Sequence, residues 1–245
     1  MDVYLQPHSD DVCFSLGALA HRRRCGILLT AFAIAAYVAT RPGADGPNAD
    51  VVTKTRRAED AAFSKACGLE ARFLEVMGAS MLGHHPFELA WVEENARRIE
   101  DPLMDALIAP PAVGVAKDRP WLFSPCGIGG HVDHVAIRMV VARHYDRLAP
   151  LYRLGFYEDL HYASEPMARD VGLQSLQRAL GARPLQRHAW PLDGGQSTKL
   201  DLIGLYASQF IDLPRSLERF TPAARFPAAP HEAVWSEEPS GPWFT

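Results

Sequence analysis

Apolar residues follow two different periods along the chain, and their alternation predicts an α/β fold. Short apolar runs, typical of strands buried on both faces, alternate with segments that carry apolar residues at helical spacing. We expect strands at residues 2–6, 26–37, 70–76, 120–124, 151–158, 185–191 and 233–235, and helices at residues 12–24, 50–67, 88–108, 132–147, 166–181 and 197–211. Strands that alternate with helices form βαβ units, so the pattern predicts a three-layer αβα sandwich with a mainly parallel sheet.

Composition and charge fit one domain that spans residues 1–245. Hydrophobic residues make up 48% and charged residues 22%, as in globular proteins, and no linker interrupts the pattern. The formal net charge of −4 favours no nucleic-acid partner, because proteins that bind phosphate backbones usually carry a basic face.

The cysteines and the longest uncharged stretch indicate a cytoplasmic protein. Four cysteines occur without CxxC spacing, which suggests reduced thiols. Residues 25–40 carry no charge but fall short of the roughly 20 residues that a membrane span needs. We therefore expect no membrane partner, and nothing in the sequence indicates an oligomeric state.

Residues 7–11 (PHSDD) follow the first predicted strand, and sites in parallel sheets lie beyond the carboxyl ends of strands. Two adjacent carboxylates are unfavourable when both are charged, unless a cation compensates them. In a turn, His8 and Asp11 can point to one centre while Asp10 lies beside it, within reach of a bound water. The alternative is that an aspartate caps the following helix.

Residues 131–134 (HVDH) follow the strand predicted at 120–124 and a glycine-rich loop. His131 and His134 share a face on a helical turn, and Asp133 can hold an imidazole in the needed tautomer. A polar helix start is the alternative, but it does not explain two histidines beside a carboxylate. The two motifs together provide two histidines and one aspartate, a ligand set that suits one catalytic zinc ion per chain.

The pair PHSDD and HVDH resembles the motifs of the LmbE/PIG-L family of zinc-dependent N-deacetylases, which carry HxDD near the N-terminus and HxDH in the middle. The resemblance implies a Rossmann-like fold and hydrolysis of the amide of an N-acyl amino sugar. It implies that His8, Asp11 and His134 hold the zinc ion and that Asp10 is the general base. His131 would stabilise the oxyanion or protonate the leaving amine.

Two further segments resemble the family less closely. Arg56, in RRAE at residues 56–59, resembles an RxxE helix whose arginine can reach sugar hydroxyls, and a solvated helix face is the alternative. Tyr157, Glu158 and Asp159 resemble a segment of one branch of the family. These three residues are expected either to line the substrate pocket or to support it.

The sequence also departs from the family pattern. Ser9 replaces the usual proline, and Val12 stands where many members have glutamate. The loop at residues 77–86 offers His84 and His85 where sugar-binding members often carry an aspartate, which leaves the identity of the sugar open. The remaining histidines show no ligand spacing and are expected at the surface or in the core: His21, His144, His161, His188 and His231.

Four functions compete on this evidence. The leading one is a zinc amidohydrolase that acts on an N-acyl amino sugar or a metabolite containing one. A thiol-conjugate amidase of the same family is the second. A metal-dependent phosphoesterase needs further carboxylates and a phosphate cradle, and the sequence has no P-loop. A sugar-binding module without catalysis gives no reason for Asp10 beside Asp11.

Overall fold

The described residues contain seven strands, which form one mixed sheet. The computed structural model describes residues 1–36, 48–108, 119–192, 196–209, 216–223 and 227–244. The strands are β1 (Val3–Gln6), β2 (Ile27–Thr30), β3 (Glu70–Phe73), β4 (Trp121–Pro125), β5 (Arg153–Tyr157), β6 (Gln186–Pro191) and β7 (His231–Ser236). Their order is β3-β2-β1-β4-β5-β7-β6. The first five run parallel, and β7 is antiparallel to both of its neighbours. The mainly parallel sheet is confirmed.

Helices flank this sheet in two groups. They are α1 (Asp11–Arg23), α2 (Ala49–Cys67), α3 (Val92–Ile108), α4 (Val132–Arg143), α5 (Tyr145–Leu148), α6 (Pro166–Leu180) and α7 (Gln196–Ile203). α1 lies against α2 and α7, whereas α4 lies against α3 and α6. The α/β class is therefore confirmed. None of the described helices combines the length and the hydropathy that crossing a membrane requires.

The direction in which strands are added to the sheet reverses between β1 and β4. These two strands pair in parallel, with Val3 beside Leu122, and the buried rings of Tyr4 and Phe123 stack with their centroids 4.9 Å apart. Open α/β sheets bind ligands beyond the carboxyl ends of their strands at such a reversal. The segments that follow β1 and β4 carry the motifs PHSDD and HVDH, so the topology brings the two motifs to one place.

The second strand is shorter than its apolar run suggested. The expected strand over residues 26–37 ends at Thr30, and beyond it Phe32 and Ile34 form only isolated bridges to the segment after β3. Phe32 is buried, with its ring centroid 6.3 Å from that of His8. Past Thr30 the strand therefore ends, and the apolar run places Phe32 beside the His8 ring.

Two helix boundaries also differ from the sequence-based expectation. The helix expected over residues 50–67 begins one residue earlier, at Ala49, and the Asn48 side chain caps it by accepting a hydrogen bond from the Asp50 amide, at 2.9 Å. The helix expected over residues 197–211 ends at Ile203, and a separate 3₁₀ turn follows at Ala207–Gln209. Residues 210–211 of that helix, and residue 37 of the strand expected over 26–37, lie outside the described part of the chain.

Candidate active site

A sharp turn between β1 and α1 brings three polar side chains of PHSDD into one cavity. His8, Asp10 and Asp11 all line this cavity, whose volume is about 430 Å³. The Asp11 carboxylate accepts a hydrogen bond from the His8 amide, at 2.8 Å, which fixes the turn. Asp10 has a φ of 109°, a value that non-glycine residues rarely adopt and that often marks functional positions. The turn therefore presents both carboxylates of the motif to the same space.

Asp60, a buried carboxylate on α2, anchors this turn from behind. It accepts hydrogen bonds from Ser9 Oγ at 2.8 Å, Thr30 Oγ1 at 2.9 Å, Tyr206 Oη at 2.8 Å and Gln6 Nε2 at 3.1 Å. A buried carboxylate is stable only when such donors satisfy it. Ser9, which stands where the motif it resembles usually has proline, thus ties PHSDD to α2.

The HVDH motif begins α4 and is tied to the first motif through Asp133. His8 Nε2 lies 2.9 Å from Asp133 Oδ2, and because a carboxylate only accepts, Nε2 carries the proton. Asn95 donates to the same carboxylate at 2.7 Å, and the Ala79 amide donates at 3.0 Å. Asp133 is therefore held rigidly, and it fixes the orientation of the His8 ring.

Asp159 fixes the orientation of the His134 ring in the same way that Asp133 fixes the His8 ring. His134 Nδ1 lies 2.8 Å from Asp159 Oδ1, and the Ile128 amide donates to Asp159 Oδ2 at 2.9 Å. The opposite nitrogen of His134, Nε2, lies 3.4 Å from Asp11 Oδ1, while Asp11 Oδ2 lies 3.5 Å from His8 Nδ1. Asp11 therefore lies between two imidazoles, and each imidazole has its other nitrogen held by a buried carboxylate.

This donor set fits a metal ion. Histidine ligands usually donate their second nitrogen to a carboxylate, and that carboxylate fixes the tautomer. His8, Asp11 and His134 form one candidate ligand set. His8, His131 and His134 form another, since one ligand nitrogen from each lies within 4.8 Å of the others. Both sets contain the two histidines that have carboxylate partners.

The pKa values of His8 and Asp10 are both raised in the site. Burial lowers the pKa of His8, but hydrogen bonds with Asp11 and Asp133 outweigh it and raise that pKa to about 10, so the site favours positive charge there. Burial raises the pKa of Asp10 to about 8, against the opposing charge of Arg56. The site therefore holds one carboxylate with a strongly increased affinity for a proton.

His131 stays neutral beside these groups. Burial and the nearby rings of His8 and His134 lower its pKa to about 2. Its Nδ1 accepts a hydrogen bond from the Asp133 amide at 3.3 Å, so the proton of the neutral ring lies on Nε2. His131 can therefore donate one N–H to a ligand in the cavity without first being protonated.

Of the four predicted substrate-binding residues, only Arg56 lines the described cavity. Arg56 lines the cavity and donates to Asp10 Oδ2 at 3.0 Å and to the Ser9 carbonyl. Asp159 reaches the site only through His134. Tyr157 donates to the Leu5 carbonyl at 3.1 Å, and Glu158 accepts from Arg169, Arg187 and Trp235. Neither Tyr157 nor Glu158 lines the described cavity, so both support the sheet.

The two histidines of the 77–86 loop also lie outside the cavity lining. His84 stacks on Trp91 with ring centroids 3.8 Å apart, and His85 Nδ1 accepts from the Phe87 amide at 3.3 Å. Phe87 lines the cavity in their place, with its ring centroid 5.6 Å from that of His131. Phe87 directly follows the loop, and the loop itself contributes Ser80 and Pro86 to the cavity lining.

Several cavity residues were not identified from the sequence. His161, which was expected at the surface or in the core, lines the cavity beside Tyr162 after β5. Gln209 and Arg219 reach it from 3₁₀ turns near the C-terminus. Their segments carry no motif, and only the tertiary fold brings them to the site.

Comparisons with known proteins agree with this geometry. The chain is 30% identical to the 2'-N-acetylparomamine deacetylase of Streptomyces fradiae over an alignment of 271 positions, which covers 97% of this chain and 90% of that protein. A deacetylase from the biosynthesis pathway of teicoplanin superposes with a TM-score of 0.67 at 18% identity, and the match covers 95% and 96% of the two chains. The A40926 pseudoaglycone deacetylase Dbv21 gives a TM-score of 0.66 at 19% identity, over 96% and 95% of the chains. These two structures share the fold, whereas no family model matches the sequence.

Proposed function

Because the chain belongs to the LmbE/PIG-L family of N-deacetylases, we propose that it removes the acetyl group from an N-acetylated amino sugar within a larger small molecule. The chain is a hydrolase of N-acetyl amide bonds. The named substrate of the Streptomyces relative, 2'-N-acetylparomamine, supports an aminoglycoside-like compound as the substrate class. The observation that carries the proposal is the position of Asp11 between His8 and His134, each backed by its own carboxylate.

We propose that His8, Asp11 and His134 hold one zinc ion. The Asp11 carboxylate supplies negative charge at the point that both imidazoles face, which the three-histidine set lacks. This choice also leaves His131 free to donate a hydrogen bond to the substrate. Zinc, when bound, polarises a carbonyl group and acidifies water.

Asp10 is the general base in this scheme. Its carboxylate lies in the cavity next to Asp11, and the increased pKa gives it the basicity to take a proton from water. Arg56 donates to Asp10 Oδ2 and so fixes the direction of the carboxylate. The water oxygen then bonds to the acyl carbon, and the proton is held at Asp10 until the amine leaves.

His131 stabilises the oxygen of the reacting carbonyl in this scheme. Its neutral ring presents an N–H from Nε2, which can donate to the oxyanion that forms when water attacks. Asp10 then passes its proton to the amide nitrogen, and the carbon–nitrogen bond breaks, since an unprotonated amine is a poor leaving group. The products are acetate and the free amino sugar.

We also propose that the protein works in the cytoplasm. All four cysteines are free, and three of them are buried. Unpaired cysteines are typical of reducing compartments.

Three variants test the assignment when metal content and acetate release are measured together. Asp10→Asn should retain zinc and lose about 10²- to 10⁴-fold in kcat, the usual contribution of a general base. Asp11→Asn should lose zinc and activity together. His131→Asn should retain zinc and lose turnover.

The opposite pattern is equally informative. If His131→Asn loses zinc while Asp11→Asn keeps it, the three histidines form the metal site. If the wild-type protein releases phosphate from phosphomonoesters and no acetate from N-acetylated amino sugars, the deacetylase proposal is wrong.

A further inference from the structure

Two 3₁₀ turns in the C-terminal part of the chain contribute side chains to the cavity. Gln209 ends the turn Ala207–Gln209, and Arg219 and Phe220 end the turn Leu217–Phe220. None of these residues has a role in the proposed deacetylation chemistry. Their polar groups are therefore available to contact parts of the substrate away from the reacting amide.

The turn that carries Arg219 is firmly attached to the body of the protein. Phe220 is buried, with its ring centroid 5.0 Å from that of Phe14 on α1. Just beyond the turn, the Ala223 amide donates to the Ala163 carbonyl at 2.7 Å. The backbone of Arg219 thus has a fixed position relative to the cavity before any ligand binds.

Arg219 also differs from the other arginine of the cavity. Arg56 donates to Asp10 and to the Ser9 carbonyl, whereas the side chain of Arg219 has no hydrogen-bond or ion-pair partner among the described residues. Arg219 and His161 both line the cavity, and burial of the His161 ring, together with the positive charge of Arg219, lowers the pKa of His161. Arg219 therefore brings five N–H donors and a positive charge to a partly enclosed space.

We infer that Arg219 determines substrate specificity by donating hydrogen bonds to oxygen atoms of the sugar and by disfavouring an ammonium group at that position. This inference rests on the proposed function, because it concerns the same cavity. A planar guanidinium suits two neighbouring oxygen acceptors, and sugar hydroxyls supply such pairs. The apolar rings of Phe14 and Phe220 line the cavity beside it, and pockets typically combine apolar walls with a few polar groups that set orientation.

Arg219→Gln and Arg219→Lys test the inference with N-acetylglucosamine and its 3-, 4- and 6-deoxy analogues. Arg219→Gln should raise KM for N-acetylglucosamine on the order of tenfold, the effect of one hydrogen bond to a charged group, with little change in kcat. Arg219→Lys keeps the positive charge but loses the planar pair of N–H donors, so it should give an intermediate KM. One deoxy analogue should bind the wild-type protein weakly and be unaffected by Arg219→Gln, because it lacks the hydroxyl that the arginine contacts.

Glu218→Gln is the matched control. Glu218 lies on the same turn but is exposed, and it does not line the cavity. This variant should keep the wild-type KM. An unchanged KM in Arg219→Gln would overturn the inference, and so would a joint loss of kcat and zinc content in that variant.

Calorimetric binding separates this inference from the proposed function. Affinities of the wild-type protein and of Arg219→Gln for N-acetylglucosamine are measured independently of acetate release. A wild-type protein that binds the sugar and releases no acetate contradicts the deacetylation, while the difference between the two affinities still decides the role of Arg219. A wild-type protein that binds none of these sugars overturns the role of Arg219, whereas acetate release from a larger N-acetylated compound still decides the deacetylation.

Discussion

His8 Nε2 lies 2.9 Å from Asp133 Oδ2, and this contact joins two motifs that are 125 residues apart in the chain. A second contact of the same kind joins His134 Nδ1 to Asp159 Oδ1 at 2.8 Å. Each carboxylate fixes the proton on one ring nitrogen and directs the other nitrogen toward Asp11. The geometry of the proposed ligands therefore depends on two carboxylates that are not themselves proposed as ligands.

Replacing either carboxylate should weaken zinc binding without removing a ligand. We expect Asp133→Asn and Asp159→Asn each to lower zinc affinity about 10- to 100-fold, because an amide no longer enforces the tautomer. Competition with a chelating dye measures the change. Glu158→Gln is the control: Glu158 is a buried carboxylate paired with Arg169 and Arg187, so this variant should lose stability and keep its zinc affinity. Wild-type affinity in both aspartate variants would show that these carboxylates do not orient the ligands.

Removal of the metal should lower both activity and thermal stability. A ligand that binds only the folded state stabilises it by RT ln(1 + [L]/Kd), about 4 kcal/mol at a thousandfold excess over Kd. We therefore expect a chelator to abolish acetate release and to lower the Tm, and added zinc to restore both. The Tm of Asp11→Asn should respond to neither treatment. A wild-type protein that stays fully active after complete removal of the metal would rule out the metal-dependent scheme.

Substitutions at two adjacent glycines after β4, Gly129 and Gly130, distinguish the effect of backbone strain from the effect of crowding in the site. Gly129 has a φ of 87°, and a Cβ there would lie 2.4 Å from Cγ of Tyr162, which lines the cavity. Gly130 has a φ of 73°, and the nearest atom to its Cβ would be Leu89 Cδ2 at 3.9 Å. Both alanine variants incur the strain of a positive φ, of order 1–3 kcal/mol, but only Gly129→Ala displaces the tyrosine ring.

We therefore expect Gly130→Ala to lower the stability and leave kcat/KM close to wild type. Gly129→Ala should lower both, because the Tyr162 ring contacts His134 edge-on, with centroids 5.9 Å apart. Steady-state kinetics on folded protein, together with urea unfolding, measures the two effects. Equal kcat/KM in the two variants would show that the position of Tyr162 is unimportant.

The sequence predicted the parts of the site that are local in the chain. His8 and Asp11 follow β1, and His134 follows β4, so short motifs at the ends of two neighbouring strands were sufficient to find them. Residues 157–159 were predicted as a group, but only Asp159 contacts the site. Side chains alternate in direction along β5 and just beyond it, which explains the difference. Asp159 points to His134, whereas Glu158 points away to the arginines, and side-chain direction at the end of a strand depends on its exact register.

Other residues could not be found in this way because their position depends on tertiary packing. Asn95 reaches Asp133 across 38 residues, and Asp60 reaches Ser9 across 51 residues. Asp60 lies one residue beyond RRAE, and on the sequence alone it reads as part of a charged helix surface. Arg219 belongs to a proline-rich segment without periodicity, and only the packing of Phe220 on Phe14 explains its place.

A buried ion pair outside the cavity lining supports α1, the helix that follows the first motif. Lys199 on α7 and Glu232 on β7 are both fully buried and form an ion pair. Helix α1 is interrupted at Leu16, which has a φ of −135° and a ψ of 21°. The interruption leaves amide groups beyond it without partners in the helix, and the Glu232 carboxylate accepts from the Ala18 and Leu19 amides, each at 2.9 Å.

This arrangement predicts unequal effects for the two partners of the pair. Glu232→Gln leaves a buried, uncompensated Lys199 and weakens the bonds to two amides, so we expect it to lower the free energy of unfolding by about 3–5 kcal/mol. Lys199→Met should cost less, because Glu232 keeps both amide donors and the favourable dipole at the start of a helical segment. In the double variant no unpaired charge remains in the core, so its cost should be smaller than the sum of the single costs. Urea unfolding of the four proteins measures the coupling, and strictly additive costs would show that Lys199 and Glu232 act independently.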